Sequence, residues 1–123
     1  MLEVYTTNIE VTADTPIPFN NIVVKKGCTV TESAPATIQL NKCGVYMVSV
    51  DASASAETTV QLYKDGVALP QAQSTGTSLS FVSLVQVDHN NSNCCCSSPT
   101  NLQLVNTTAA TFDNVNVCVT KIC

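Results

Sequence analysis

GVYMVSVDASASAETTVQLYKDG, running from Gly44 to Gly66, is the stretch from which the fold is read. Tyr46, Val48, Val50, Ala52 and Ala54 recur at every second position, the spacing that lines one face of an extended strand. Val60 and Leu62 continue the alternation. Lys64-Asp65-Gly66 then closes the stretch with a hairpin turn, because glycine accepts the positive φ that such a turn demands. The stretch predicts two antiparallel strands.

Working outward, the flanks have the same character. Ile9 and Val11 alternate with polar residues, and PIPFNNIVV ends at Val24, where Lys25, Lys26 and Gly27 form a turn. CTVTE and ATIQL flank Ser33-Ala34-Pro35 as a hairpin, and Asn41 to Gly44 turns the chain into the long strand. Downstream, Val67 to Leu69 ends at Pro70, which suits an edge strand because proline cannot donate to a ladder; a polar stretch then runs to Gly76. SLSFVSLVQVD puts Leu79, Phe81, Val85 and Val87 on one face, and Val82 and Leu84 on the other. NLQLVN and TFDNVNVCVTKI follow, the latter with Val115, Val117 and Val119 facing one way and Phe112, Cys118 and Ile122 the other. Without helical period, repeat or linker, these strands predict an all-β sandwich or jelly roll in a single domain, residues 1–123. That length suffices to bury a two-layer core.

A sandwich strand with a wet outer face should be apolar on one side only. The strand from Val45 breaks this rule with Val45 and Met47, the strand from Leu79 with Val82 and Leu84, and the last with Phe112, Cys118 and Ile122. If these lie in one sheet, its outer surface is an apolar patch that needs a partner. The alternative is that scattered surface valines are ordinary, since more than half of any protein surface is apolar.

Composition bears on the same question. Charged residues are 11% of the chain, against about a quarter in an average domain, so little repulsion keeps copies apart. A net charge of −4, with five lysines and no arginine, argues against nucleic acid, which needs a concentrated basic stripe. The opening MLEVYTTNIEVTADTP has neither the basic start nor the apolar run of a secretory signal, and no stretch is apolar enough for membrane insertion. Folding in a cytoplasm is expected, and against it stand seven cysteines, many for a reducing compartment. A protein assembled inside a cell and later released reconciles the two.

Taken together, PIPFNNIVV, ATIQLNKCGVYMVSVDASA, TTVQLYKDG, the long apolar strand, the leucine-rich strand and the final alternating strand resemble the tumour necrosis factor and complement globular-head superfamily. The likeness is greatest to phage head-fibre and capsid-decoration proteins and to the C-terminal domains of collagen-like spore-surface glycoproteins. Its most specific element is Gly44-Val45-Tyr46, which matches the family's glycine, any residue, tyrosine signature. The resemblance implies a ten-stranded TNF-like jelly-roll sandwich that forms a homotrimer, with central strands of the inner sheet facing neighbouring subunits. It thus assigns Val45, Met47, Val82, Leu84, Phe112 and Cys118 to a subunit interface. The chain departs from the family where Asp88-His89-Asn90 runs on through Cys94, Cys95 and Cys96 to Thr100 in place of a short Gly-Asp turn.

Candidate chemistry is sparse. His89 with the cysteine-rich loop Cys94, Cys95 and Cys96 is the one cluster that suggests zinc, but zinc ligands usually come in pairs two to four residues apart, and adjacent cysteines wrap an ion poorly. No metal, cofactor or catalytic residue is therefore assigned. Cys28 and Cys43 sit nearly in register on the hairpin around Ala34, as a disulfide or as two buried thiols. His89 beside Asp88 is read as a solvated loop residue. Asn90-Asn91-Ser92 and Asn106-Thr107-Thr108 match the glycosylation triplet, without a secretory signal to give it meaning. The expectation is a non-enzymatic phage protein on the virion surface, a trimeric capsid decoration or head fibre, with a capsid or other virion protein as partner. Its rivals are a trimeric spore-surface or adhesin domain, and a module binding a host receptor or surface glycan. A jelly-roll enzyme of cupin type is disfavoured, because cupins need several histidines on inward strands and this chain has one.

Overall fold

Gly44–Lys64 is one strand of 21 residues, not the expected antiparallel pair, and its neighbours explain why. The computed structural model describes residues 1–19, 21–27, 30–34, 36–87 and 95–122. Their strands are β1 (Leu2–Val11), β2 (Thr15–Pro16), β3 (Asn21–Lys25), β4 (Val30–Ala34), β5 (Thr37–Lys42), β6 (Gly44–Lys64), β7 (Val67–Val87), β8 (Cys95–Asn106) and β9 (Ala110–Lys121). Hydrogen bonding follows the order β3-β1-β9-β6-β8-β5-β4, with β7 on β6 and β2 on β8. The first part of β6, Tyr46 to Ala54, pairs with β9, and its last part, Val60 to Lys64, pairs with β8. One strand thus serves both layers, bending between Ala54 and Thr58, where its ladder with β7 also slips. Among the described residues nine strands stand where ten were expected, because β6 and β7 each run through both layers.

The remaining differences have local causes. The polar stretch before Gly76 belongs to β7, whose other edge pairs with no strand among the described residues. Pro70 is accommodated there at a register break between Gln61 and Tyr63 of β6, and the Gln61 side-chain amide donates to the Leu69 carbonyl at 3.0 Å. The β6–β7 turn has positive φ at both Asp65 (50°) and Gly66 (82°), the type I′ geometry that matches strand twist. The hairpin of β4 and β5 forms as read.

Between the layers lies a core that includes Leu2, Val4, Tyr46, Val48, Val50 and Val117 from one side and Val30, Leu40, Leu62, Leu102 and Leu104 from the other. The Gly44-Val45-Tyr46 signature has a structural reason. Gly44 enters the strand at φ 139°, a conformation that side chains resist, and the fully buried Tyr46 hydroxyl donates to the Lys42 carbonyl across the turn. The aromatic ring fills the core while its polar tip satisfies the backbone that delivers the chain into β6.

Candidate assembly face

The outer face of β7, β6, β9 and β1 carries side chains in cross-strand rows. Leu84, Met47 and Thr120 make one row, and Val82, Ser49, Cys118 and Glu3 the next. Beyond them Ser80, Asp51, Asn116 and Tyr5 continue the surface as a polar row. The face is therefore divided along the strands, apolar toward Gly44 and polar toward the bend. Met47, Val82 and Leu84 are 40%, 62% and 57% exposed, and Ile122 is 48% exposed where its N–H donates to the Val45 carbonyl at 2.8 Å. Val45 and Cys118 are half-buried, and Cys118 is a free thiol. Large apolar side chains in contact with water, grouped on neighbouring strands, mark a surface that gains by being covered.

Phe112 does not belong to this face. It is fully buried in the core with Val115, Val117 and Val119, although strict alternation along β9 puts it on the opposite side from them. The cause is a phase slip. Ser53 pairs with Asn114 and Ala54 with Phe112, so Asp113 is an extra residue in β9, and both Asp113 and Asn114 are exposed. On the neighbouring strand Asn8 has φ 52° at the same level, between Thr7, opposite Asn114, and Ile9, opposite Phe112. Phe81 lies on the core face, as alternation predicts, but is only partly buried there. One exposed apolar edge had no signal in the sequence: Ile22 and Val23 on β3 are 47% and 54% exposed.

The other candidate residues are dispersed. Cys43 is disulfide-bonded. Its expected partner Cys28, together with His89 and Cys94, lies outside the described residues, as do the side chains of Cys95 and Cys96. Among the described residues no group of His, Cys, Asp or Glu is gathered as metal ligands. Asn106, the first residue of one glycosylation triplet, is fully buried and its amide donates to the Val11 and Thr108 carbonyls at 3.3 and 2.8 Å, so the folded chain offers no acceptor there.

Glu32 is the one described carboxylate in an unfavourable place. It follows buried Val30 on the same face of β4, and its Oε2 is buried without a hydrogen-bond partner. Desolvation raises its pKa above the ordinary 4.5, opposed by the charge of Lys25. A raised carboxyl pKa means that the fold favours the neutral form, so this group's contribution is fully present below pH 4.5 and is lost as pH rises through the folded value. Glu32→Gln is therefore expected to raise the melting temperature at neutral pH relative to the parent, with the difference closing on acidification; thermal melts of both proteins across pH check it.

No family model matches the chain, and no curated protein matches it. Solved structures do. The globular domain of the zebrafish complement 1qA protein superimposes with a TM-score of 0.76 at 11% identity, over 99% of this chain and 96% of that one. The PRD1 vertex protein P5 gives 0.68 at 16% identity, over 99% and 96%. Murine APRIL at pH 5.0 gives 0.68 at 9% identity, over 98% of each chain. At such identities what is shared is the path of the backbone, and by that path the chain is a jelly roll of the tumour necrosis factor and complement globular-head type.

Proposed function

We propose that the chain is a single non-enzymatic domain, residues 1–123, of a homotrimeric virion-surface protein, a capsid decoration or head-fibre protein of a phage. The observation that carries this reading is the apolar half of the outer sheet face, where Met47, Val82, Leu84 and Ile122 stand in water. The described carboxylates lie on β1, β4, β6 and β9 and in two turns, and among the described residues no three His, Cys, Asp or Glu are gathered as metal ligands. Self-association covers such a face, and the sparse surface charge opposes it little. The likeness to a vertex protein supports a place on a particle, and the likeness to a complement globular head supports a role exerted through contacts.

Sedimentation equilibrium at micromolar concentration is expected to return three times the chain mass of 13.0 kDa. A monodisperse monomer would remove the trimer from the proposal. Peptide mass spectrometry of purified phage particles then decides the location. Recovery from a spore coat instead would transfer the protein to the spore-surface reading, and retention on a host glycan array to the receptor-binding one.

A further inference from the structure

Every lysine of the chain lies at one end of the sandwich. Lys121 pairs with Tyr46 at the start of β6, and Lys25 with Leu2. Lys26 exchanges backbone hydrogen bonds with Met1, giving its N–H to the Met1 carbonyl at 3.0 Å and accepting from the terminal ammonium at 3.2 Å. Lys42 accepts the Tyr46 hydroxyl on its carbonyl, and Lys64 Nζ reaches the Gln86 carbonyl, level with Val45, at 2.6 Å. The opposite end has no lysine and carries Glu10, Asp14, Glu57 and Asp113, all exposed. Glu10 pairs with Thr111, Asp14 donates its N–H to the Asn106 carbonyl at 2.8 Å, Glu57 stands in the bend of β6, and Asp113 is the bulge residue. Glu3, Glu32 and Asp65 dilute the lysine end without cancelling it, Asp51 sits midway, and Asp88 lies outside the described residues.

Gathering like charges costs repulsion over the screening length of about 8 to 10 Å, and the arrangement becomes favourable when a surface of opposite sign approaches. We infer that the end formed by Met1, Lys25, Lys26 and Lys121 docks on an acidic patch of another virion protein, leaving the carboxylate end turned outward. The inference rests on the virion-surface reading and adds the orientation and the chemistry of the partner. A protein fits better than a polyanion. Met1, 47% exposed, stands among these lysines, and apolar area bordered by charge is the make-up of a protein contact. Nucleic acid would call for a denser basic stripe, and the chain has no arginine. Trimer formation through the sheet face also leaves the strand ends free.

The test is residue-level labelling of purified particles and of the isolated protein, with an amine-acetylating reagent for lysines and a carbodiimide-coupled amine for carboxylates. On particles, labelling of Lys25, Lys26 and Lys121 is expected to fall several-fold while Glu57 and Asp113 stay unchanged. The double variant Lys25→Glu, Lys26→Glu should keep the parent's oligomer mass and fail to rebind particles stripped of the protein by high salt. Protection of Glu57 and Asp113 instead of the lysines would invert the orientation and overturn the inference while leaving the virion reading intact. Equal labelling of both ends, or undiminished rebinding of the variant, would overturn it as well. Absence of the protein from particles would take both readings down together. Salt-sensitive binding of the parent to a double-stranded DNA oligonucleotide, lost in the variant, would hand the surface to a polyanion and refute a protein partner.

Discussion

Phe112→Ala is expected to be among the most damaging single truncations in this chain, costing about 3 to 5 kcal/mol against a whole-domain stability of typically about 5 to 15 kcal/mol. The ring is fully buried, opposite Ile9 on β1 and Ala54 on β6. Ala54 is too small to move into the space, and β9 is held on both sides by paired strands, so the cavity left behind cannot readily collapse. Phe81→Ala is the internal comparison. Phe81 is partly exposed on β7, an edge strand that can shift, so its loss removes less apolar contact and leaves a gap open to water. Urea titrations of both variants at one fixed protein concentration separate the two, because an oligomer's apparent stability depends on concentration. Equal costs, or a larger cost for Phe81→Ala, would place Phe112 outside the core and undo the assignment of the β9 bulge.

That pair of residues also shows where reading strands from sequence succeeds and where it stops. Alternation works while the period stays at two: Tyr46, Val48, Val50, Ala52 and Ala54 are all buried, as their spacing predicts. It fails at Asp113, since one extra residue inverts every later assignment in the strand, and Phe112 was placed by counting back through that residue. A local signal existed in Asp113-Asn114, two polar residues in succession inside an otherwise alternating strand. The continuity of β6 through Ser53 to Thr59 was hidden for a different reason. Its bend between layers is set by pairing with β9, then β8, which no local pattern reports. On the candidate assembly face, the exposed Met47, Val82 and Leu84 were legible as an apolar interruption of a polar side, whereas the exposed Ile22 and Val23 were not, because an apolar run reads the same in a buried strand as at an exposed edge. The gathering of the lysines could not be seen in sequence at all, since it depends on which strand ends the topology brings together.

Val82→Asp should dissociate the oligomer while leaving the subunit folded. Val82 projects from edge strand β7, 62% exposed, in the row that continues through Ser49 and Cys118 to Glu3. In a separated subunit the new carboxylate stays in water, and exchanging an exposed valine for aspartate there disturbs no core contact. In the proposed trimer the same group would be buried without a cationic partner on its row, where Glu3 already supplies a negative charge, and an unpaired buried ion costs several kcal/mol. A cyclic trimer incurs that cost at each contact, so the loss multiplies even though the substitution is single. The expected result is a sedimentation mass at or near that of one chain with an unchanged far-ultraviolet circular dichroism spectrum. The melting temperature should fall only by the share of stability that association contributed, and should no longer depend on protein concentration. Val82→Thr, which keeps the shape without the charge, should remain associated. A Val82→Asp protein that stays trimeric and melts like the parent would mean that this face is not where the subunits meet, and the search would move to the exposed Ile22 and Val23 edge of β3.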